Sequence, residues 1–368
     1  MSIPLLDLKA QYLSIKKEID KAVQNVLNSG KFILGPEVSE LEEEISKFSN
    51  TKYAVSCASG TDALLLSLMA FDLKPGDEVI TTPFTFFATV GSISRLGAVP
   101  AFVDIDPATF NINPDLMEEK ISGRTRGIIP VHLFGQIAEM NPIAKIGKDK
   151  NLFVIEDACQ SIGAVSFDKK AGEAGDTGCF SFFPSKNLGC FGDGGMVTTN
   201  REDLAAKIKM LRVHGGKDRY YHDFVGINSR LDTLQAAILL VELKHLEEWT
   251  NIRIKNAELY NNAFKDIDGV TLPVIGRNKY HVFNQYTIRV KKRNGLIREL
   301  EKRGIGFGIY YPLPLHLQKC YRYLNYKKGD FPESEKAAEE VISLPVYPFL
   351  SDDMRNEVIA AVKDYFGA

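Results

Sequence analysis

The sequence lacks an uncharged segment long enough to cross a bilayer. Its longest uncharged run, residues 79–94, is broken by Pro83 and Gly91 and contains six serine or threonine residues, whereas a spanning helix needs about 20 mostly apolar residues. The opening MSIPLLDLKAQ reaches Asp7 and Lys9 before an apolar core of signal length is complete. We therefore expect a cytoplasmic protein with no membrane partner.

An excess of charge and a cysteine framework are also missing. The 45 basic and 47 acidic residues leave a formal charge of −2, which gives no overall field to recruit nucleic acid or an anionic membrane. The five cysteines form no CxxC pair and have no histidine cluster beside them. We expect buried, reduced thiols and no bound metal. These cysteines are Cys57, Cys159, Cys179, Cys190 and Cys320.

Between about residues 51 and 200, short apolar runs alternate with helical patterns. The runs YAVSCA, DEVITT, VPAFVDI, GIIPVHL and LFVIEDA are typical of strands, and residues 60–71 are typical of a helix that begins at the end of a strand. This alternation predicts an α/β fold with a mostly parallel central sheet covered by helices on both faces.

The pattern changes after Ser229. RLDTLQAAILLVELKHLEEW has helical spacing and continues as a charged helical stretch to about Phe264. FNQYTIRV predicts a strand, NGLIRELEKRG a helix that stops at Gly304, and the last segment a helix capped by Ser351 that ends near Gly367. We expect a large domain over residues 1–245 and a smaller α+β C-terminal domain over 246–368.

Two residues suggest chemistry at the edge of the sheet. Asp157 closes LFVIEDA, where open α/β sheets hold ligands, although an aspartate there can also cap a helix. Lys186 follows the apolar run GCFSFFPS and is flanked by phenylalanines. Its desolvation is relieved if the amine is neutral, ion-paired or bound as an imine. A lysine paired with an acid is the constellation that pyridoxal phosphate (PLP) requires, and the alternative is a surface lysine on a loop.

A phosphate site and a stacking ring would complete such a constellation. In ASGTD, Gly60 allows close backbone approach and Thr61 lies at the start of a helix, although Gly-Thr also serves as plain helix punctuation. Ser181 would be a second phosphate ligand. TPFTFFAT supplies three phenylalanines after a strand, most of which are expected in the core.

Together, four ordered motifs resemble the sugar aminotransferases of the DegT/DnrJ/StrS type, a branch of the fold type I PLP enzymes. The motifs are ASGTDAL, VIEDACQSIGA, SFFPSKNLGCFGDGG and NSRLDTLQAAIL, and the resemblance covers nearly the whole chain. It implies a PLP-dependent aminotransferase with that fold.

By resemblance, Lys186 forms the imine with PLP, Asp157 pairs with the pyridine nitrogen, and Gln160 lies by the phenolic oxygen of the ring. Ser181 holds the phosphate together with Gly60 and Thr61. These roles are carried over only at positions that match the motifs of the family.

The resemblance also implies a partner chain. Phe86 would be the stacking ring, and Asn228 of NSRLD would reach the phosphate from the neighbouring subunit, so the active unit would be a homodimer with shared active sites. By the same exchange Arg230 would meet the sugar or an acidic substituent on it, or else form an intersubunit salt bridge.

Three further residues are candidates for substrate contact. GIYYPLPLH, residues 308–316, resembles the family segment that enters the cleft from the second domain, so Tyr311 and His316 would contact substrate or only pack the domain boundary. His132 would line the site near the donor or the sugar, or be a histidine satisfied beside the core.

The lysine itself selects the reaction. Related sugar dehydratases carry histidine at this position, whereas Lys186 allows the cofactor to leave as pyridoxamine phosphate, as amino transfer demands. The resemblance implies glutamate as donor and a nucleotide-linked keto sugar as acceptor.

The likeness favours enzymes that aminate UDP-2-acetamido-3-oxo-glucuronate for cell-surface polysaccharide such as lipopolysaccharide, which would give Arg230 the sugar carboxylate. The alternatives are a dTDP-linked 3-keto- or 4-keto-6-deoxyhexose and a non-catalytic ligand-sensing regulator, which would tolerate loss of Lys186. A PLP enzyme acting on amino acids needs an arginine clamp, and no matching motif surrounds Arg289, Arg303 or Arg322.

Overall fold

The computed structural model describes residues 2–218 and 220–367, so the terminal residues of the two predicted domains, Met1 and Ala368, lie outside the described residues. The helices are α1 Leu8–Ser14, α2 Lys16–Ser29, α3 Pro36–Phe48, α4 Gly60–Ala70, α5 Phe87–Arg95, α6 Met140–Asp149, α7 Glu202–Leu211, α8 Thr233–Glu242, α9 Leu246–Phe264, α10 Arg293–Lys302, α11 Pro332–Glu340 and α12 Asp352–Phe366. Short 3₁₀ helices occupy Pro114–Leu116, Glu118–Lys120, Leu133–Gly135, Leu315–Leu317 and Lys319–Leu324.

The strands form one large sheet and three small ones. They are β1 Tyr53–Cys57, β2 Glu78–Thr81, β3 Val99–Phe102, β4 Thr125–Ile128, β5 Phe153–Asp157, β6 Val165–Ser166, β7 Lys169–Lys170, β8 Thr177–Ser181, β9 Gly195–Thr199, β10 Gly216–Asp218, β11 Tyr221–His222, β12 Val270–Thr271, β13 Lys279–Tyr280, β14 Tyr286–Val290 and β15 Val341–Leu344.

The large sheet has seven strands in the order β1-β9-β8-β5-β4-β2-β3. The pairs from β8 to β3 are parallel, and β9 runs antiparallel to both β1 and β8. Parallel pairing aligns the C-terminal ends of β5 and β8 at one edge. The prediction of an α/β fold with a mostly parallel sheet is therefore confirmed.

A second hydrophobic cluster is built from the C-terminal part of the chain. Helices α9, α10 and α12 pack against the antiparallel sheet β12-β14-β15, with Tyr260, Tyr286 and Leu300 among the buried side chains. Ser351 caps α12 by accepting a hydrogen bond from the Met354 N–H at 3.2 Å. Gly367, which follows the last residue of the helix and caps it, adopts the left-handed conformation. Both ends of this helix are where the sequence placed them.

The N-terminus packs into this second cluster and not into the first. Ile3 is buried there, and its N–H donates to the Gly304 carbonyl at 2.9 Å while its carbonyl accepts from Gly306 at 2.7 Å. Helix α9 begins immediately after His245. The division into domains at residues 245 and 246 stays a prediction.

The long helix expected from Arg230 to Phe264 is interrupted. It ends at Phe264 as predicted, but α8 and α9 are separated at residues 243–245, where Lys244 and His245 donate to carbonyls three residues earlier. Helices α1, α2 and α3 were not anticipated. Ile19 of α2 packs with Ile238 of α8, so long-range contacts stabilise this segment.

The cysteines have free thiols, but their burial differs. Cys57, Cys179 and Cys190 are buried, Cys159 is half-buried and Cys320 is exposed, so the expectation of burial is wrong for Cys320. No group of three or more metal-ligating side chains is assembled within residues 2–218 and 220–367. Across those same residues, no helix combines the length and apolarity needed to span a membrane.

Candidate active site

The carboxylate of Asp157 lies nearly buried at the C-terminal end of β5. Thr89 Oγ1 lies 2.7 Å from Asp157 Oδ2, and the Cys159 N–H donates to Oδ1 at 3.3 Å. Among the described residues, no cationic side chain forms an ion pair with it. The chain turns after Asp157 and does not begin a helix there, so the alternative of a helix cap does not apply.

Lys186 is presented by the connection between β8 and β9. Its N–H donates to the Phe183 carbonyl at 2.8 Å, and the Cys190 N–H donates to the Phe182 carbonyl at 2.7 Å. Asn187 Nδ2 donates to the Val282 carbonyl at 3.0 Å. These bonds tie the segment to β8 and to the C-terminal part of the chain.

The surroundings of Lys186 differ from those of a surface lysine. Burial lowers the pKa of the half-buried amine, whereas interactions with Cys159 and Asp157 act in the opposite direction. Desolvation therefore outweighs the nearby negative charge. The amine of Lys186 is within electrostatic reach of Asp157, which lies at the C-terminal end of β5.

Three of the four predicted phosphate ligands meet at the first turn of α4. Ser59 caps this helix by accepting from the Asp62 N–H at 3.1 Å. A Cβ added to Gly60 would lie 2.6 Å from the Cβ of Ser181, so the two residues are in contact and a side chain at position 60 is excluded. Thr61 follows and is exposed. Free N–H groups at such a turn suit an anion.

Gln160 connects the sheet edge to the segment from the C-terminal part. Its Oε1 accepts from the Phe134 N–H at 2.7 Å, and its Nε2 donates to Tyr311 Oη at 3.0 Å. The Phe86 ring, 57% exposed, has its centroid 6.1 Å from that of Tyr311. The structure therefore brings Gln160, Phe86 and Tyr311 together.

The two candidate histidines are both enclosed. His132 is fully buried, with Nε2 2.7 Å from Glu156 Oε2 and Nδ1 accepting from the Ala138 N–H at 3.2 Å. This is the arrangement of a histidine satisfied beside the core, so the structure does not place His132 in the cleft. His316 lies 3.1 Å from Glu335 Oε1 and edge-on to Phe331.

The titration of His316 follows from that burial. Burial lowers the pKa of its imidazole, and the hydrogen bond to Glu335 raises it by a smaller amount. Its Nδ1 is buried without a hydrogen-bond partner among the described residues. The neighbouring Leu315 N–H donates to the Pro83 carbonyl at 2.8 Å, so this segment packs directly on TPFTFFAT.

Asn228 and Arg230 flank a residue that is fixed against α4. Ser229 is fully buried, its hydroxyl lies 2.6 Å from Asp62 Oδ2, and it accepts from the Ala58 N–H at 3.1 Å. Asn228 is exposed. Arg230 is half-buried, and its Nε has no partner among the described residues. It lines an open depression together with residues 213, 214, 216–218, 220, 222 and 224–226. Within the described chain these two side chains do not join the group around Asp157.

Residues 13–363 match the DegT/DnrJ/EryC1/StrS aminotransferase family. The chain belongs to this family. It is 49% identical to a protein of Geobacillus stearothermophilus named pleiotropic regulatory protein, over 100% of this chain and 99% of that one. It is 44% identical to the UDP-2-acetamido-2-deoxy-3-oxo-D-glucuronate aminotransferase of Pseudomonas aeruginosa, over 98% of this chain and 99% of that one.

A solved structure gives the same result. The chain superposes on DesV of S. venezuelae, crystallised in complex with a ketimine intermediate, with a TM-score of 0.97 and 38% identity over 100% of this chain and 99% of that one. Members of the DegT/DnrJ/EryC1/StrS family depend on PLP, and this chain is accordingly a PLP-dependent aminotransferase. The recognition of the family and of its fold is confirmed.

The residues present fit the cofactor of the family. Gly60 is packed so tightly on Ser181 that no side chain fits at position 60. Its backbone is therefore left open to approach a phosphate group. Asp157 holds hydrogen bonds but no cation among the described residues, which leaves a place for a protonated ring nitrogen. Phe86 is an exposed aromatic at the same edge. Thr89 was not predicted as a site residue from the sequence. Its partner Thr85 lies four residues earlier, and the segment TPFTFFAT that contains both was considered only for its phenylalanines.

Proposed function

We propose that this chain moves an amino group from glutamate to a keto group of a nucleotide-linked sugar, and that the sugar is a UDP-linked 3-keto sugar acid. The observation that carries the proposal is the electrostatic interaction of the half-buried amine of Lys186 with Asp157, which closes a strand of the parallel sheet. The Pseudomonas aeruginosa relative, which acts on such a sugar by its name, supports the choice of acceptor.

Residues of this chain would hold PLP at three points. Gly60, Thr61 and Ser181 would bind its phosphate, and Phe86 would stack on its ring. Gln160, already bonded through both ends of its amide, would stand by the phenolic oxygen. When bound, PLP supplies an electron sink that stabilises the carbon losing its proton.

Asp157 would keep the ring nitrogen of the cofactor protonated. A buried carboxylate that receives two hydrogen bonds is held in one orientation and remains an acceptor for a third donor. The charge of Asp157 then stabilises the cationic ring, because opposite charges interact strongly away from water.

Lys186 would move the protons. Burial lowers the pKa of its amine, which raises the neutral fraction that can accept a proton at Nζ. Nζ would remove the proton from Cα of glutamate and, in the second half of the reaction, deliver one to the sugar carbon that receives the amino group.

Arg230 is our candidate for the carboxylate of the sugar. Its guanidinium Nε is buried without a partner among the described residues, and a cation in that state favours an anionic ligand. Tyr311, bonded to Gln160, would lie nearer the reacting carbon. His316 stays a candidate through its unpartnered Nδ1, and His132 is left out because both of its nitrogens have partners.

The active unit would be a homodimer with shared sites. Asn228 is exposed beside Ser229, which is anchored to the first turn of α4, so its amide is presented outward at the level of the proposed phosphate site. A partner subunit would supply its own Asn228 and Arg230 to this site. The cytoplasmic location and the use of the product in cell-surface polysaccharide stay predictions from the sequence.

The regulator alternative is not favoured. A ligand sensor has no need of a lysine at position 186, yet this chain keeps Lys186, Asp157 and Gln160 together. The relative named as a regulatory protein shares 49% of its residues with the chain, and its name alone describes no chemistry.

Two measurements test the function. The purified protein supplied with PLP should absorb visible light and lose that absorption when glutamate is added. Mass spectrometry should then detect an amino sugar when a UDP-linked 3-keto sugar acid is supplied. Amination of only dTDP-linked keto sugars would overturn the choice of acceptor, and a protein that PLP cannot colour would overturn the function.

A further inference from the structure

A chain of two threonine hydroxyls ends on the carboxylate of Asp157. Thr85 Oγ1 lies 2.9 Å from Thr89 Oγ1, and Thr89 Oγ1 lies 2.7 Å from Asp157 Oδ2. Both threonines are buried, with exposures of 2% and 0%. Water is therefore kept from these hydroxyls, and each must find its partners within the protein.

The chemistry of the groups fixes the direction of the chain. An ionised carboxylate only accepts, so Thr89 donates its single hydroxyl proton to Asp157. Thr89 then has only lone pairs to offer, and Thr85 must donate to it. Successive hydroxyl bonds that point toward a charge polarise one another and strengthen the last bond.

The two hydroxyls are not used to build the helix they adjoin. Thr89 lies in the first turn of α5, whose N-cap residue Phe86 makes no capping side-chain bond. Within residues 2–218 and 220–367, the two hydroxyls form hydrogen bonds only with each other and with Asp157. Their hydrogen bonding is therefore directed at the carboxylate.

The opposite oxygen of the carboxylate is held less closely. The Cys159 N–H reaches Oδ1 at 3.3 Å, against 2.7 Å for Thr89 at Oδ2. Without the hydroxyl, the long backbone bond and a weaker interaction with the Cys159 thiol would remain to set the rotation of the Asp157 side chain. Thr89 is thus the dominant restraint on the plane in which the carboxylate meets a ligand.

We propose that Thr89, supported by Thr85, is a positioning residue that orients Asp157 toward the cofactor ring nitrogen. The inference rests on the proposed function, because it assigns a role within the same site. Thr89 touches neither cofactor nor substrate in this role and acts only through Asp157.

The test compares Thr89→Val, which removes the hydroxyl at nearly constant volume, with Thr89→Ser, which restores it. Thr85→Val interrupts the chain one step earlier. Thr198→Val is the matched control, because Thr198 is equally buried and its hydroxyl bonds the Gly172 carbonyl without contacting Asp157. Circular dichroism and thermal unfolding establish that each variant folds.

Three readouts separate positioning from a general loss of structure. With glutamate and the keto sugar, Thr89→Val should lower kcat by about tenfold and change KM by less than about twofold, since one hydrogen bond to a charged group is lost. The pH midpoint at which the visible absorption of the PLP-loaded protein changes should shift in Thr89→Val. Its affinity for PLP, measured by equilibrium dialysis, should fall.

The variants then decide the proposal. Thr89→Ser should recover most of each property, Thr85→Val should show a smaller change in the same direction, and Thr198→Val should match the parent. If Thr89→Val matches the parent in all three readouts, or Thr89→Ser is as impaired as Thr89→Val, the inference is wrong while the function stands. A parent protein that neither binds PLP nor transfers an amino group overturns both. Should Thr89→Val fail to fold, Thr85→Val decides by the same readouts.

Discussion

The candidate site has two halves that differ in how far one chain completes them. Around Asp157, Gln160 and Ser181, hydrogen bonds and close packing fix the polar groups. Around Asn228 and Arg230, one side chain is exposed and the other keeps an unpartnered nitrogen. Under the proposed function, the difference teaches that one chain builds the first half in advance, whereas Asn228 and Arg230 would serve the site of a partner chain.

The largest effect is expected from Lys186→Ala in the completed half. Removing the only group proposed to carry the proton should lower transfer by about 10⁴-fold or more, whereas the fold and non-covalent PLP binding should persist. Product formation by mass spectrometry and circular dichroism check this. Lys145→Ala, which removes an exposed lysine paired with Asp149, is the control and should match the parent. Comparable turnover in Lys186→Ala would refute the assignment.

The half of the site around Asp157 also contains a buried acid, Glu242, whose burial opposes folding. Glu242 is fully buried, accepts from Gln11 Nε2 at 3.0 Å and from the Gly189 N–H at 3.2 Å, and so braces the segment that carries Lys186. Burial raises the pKa of Glu242 to about 7 from 4.5, against the smaller effect of these hydrogen bonds. The folded state holds the proton of the Glu242 carboxyl more tightly than the unfolded state does. The loss of folding stability from burying the charged carboxylate is therefore absent below pH 4.5 and complete above pH 7.

Glu242→Gln should therefore stabilise the protein relative to the parent as pH rises. The difference in the free energy of unfolding should grow by on the order of 3 kcal/mol between pH 4.5 and 7 and then level off. Urea unfolding of both proteins at several pH values measures it. Glu247→Gln, on the first turn of α9, is the exposed control. A pH-independent difference would show that the carboxyl does not titrate in this range.

The open half is tested by complementation between subunits. Asn228→Ala alone should lower activity by roughly tenfold through loss of one phosphate contact. A purified heterodimer of one Lys186→Ala chain and one Asn228→Ala chain contains one site with both residues intact if sites are shared, so it should regain about half of the parent activity. Differently tagged chains allow its isolation. Activity no higher than that of either variant homodimer would place Asn228 outside the site of its partner.

The smallest effect concerns the exposed aromatic that is proposed to stack on the cofactor ring. Phe86→Leu keeps an apolar side chain but removes the ring, so PLP should bind roughly three- to tenfold more weakly, as expected for loss of one stacking contact. Equilibrium dialysis measures the change. The adjacent Phe87, 47% exposed and 5.8 Å from the Tyr321 ring, supplies the control Phe87→Leu. Equal weakening in both variants would contradict a specific role for Phe86.

Local patterns predicted the parts of the molecule that local forces determine. The strand before Asp157, the start of α4 at Gly60 and the cap at Ser351 follow from apolar runs and from side chains that bond neighbouring backbone. The order of motifs along the chain added the family, and with it the cofactor.

Contacts between distant residues were not predictable in the same way. The bond from Thr89 to Asp157 and the pairing of His132 with Glu156 join segments that only the folded sheet brings together. Helix α8, which ends before the break at residues 243–245, packs against α2 and α3, and helical spacing does not report these contacts. Tertiary packing overrides local preference at each of these points.

The pairing of Ile3 with the turn at Gly304 and Gly306 bears on how the protein is made. Ile3 leaves the ribosome long before Gly304 and Gly306, its partners, are synthesised. The N-terminal segment must therefore wait unpaired during translation, and its docking would be among the last steps of folding.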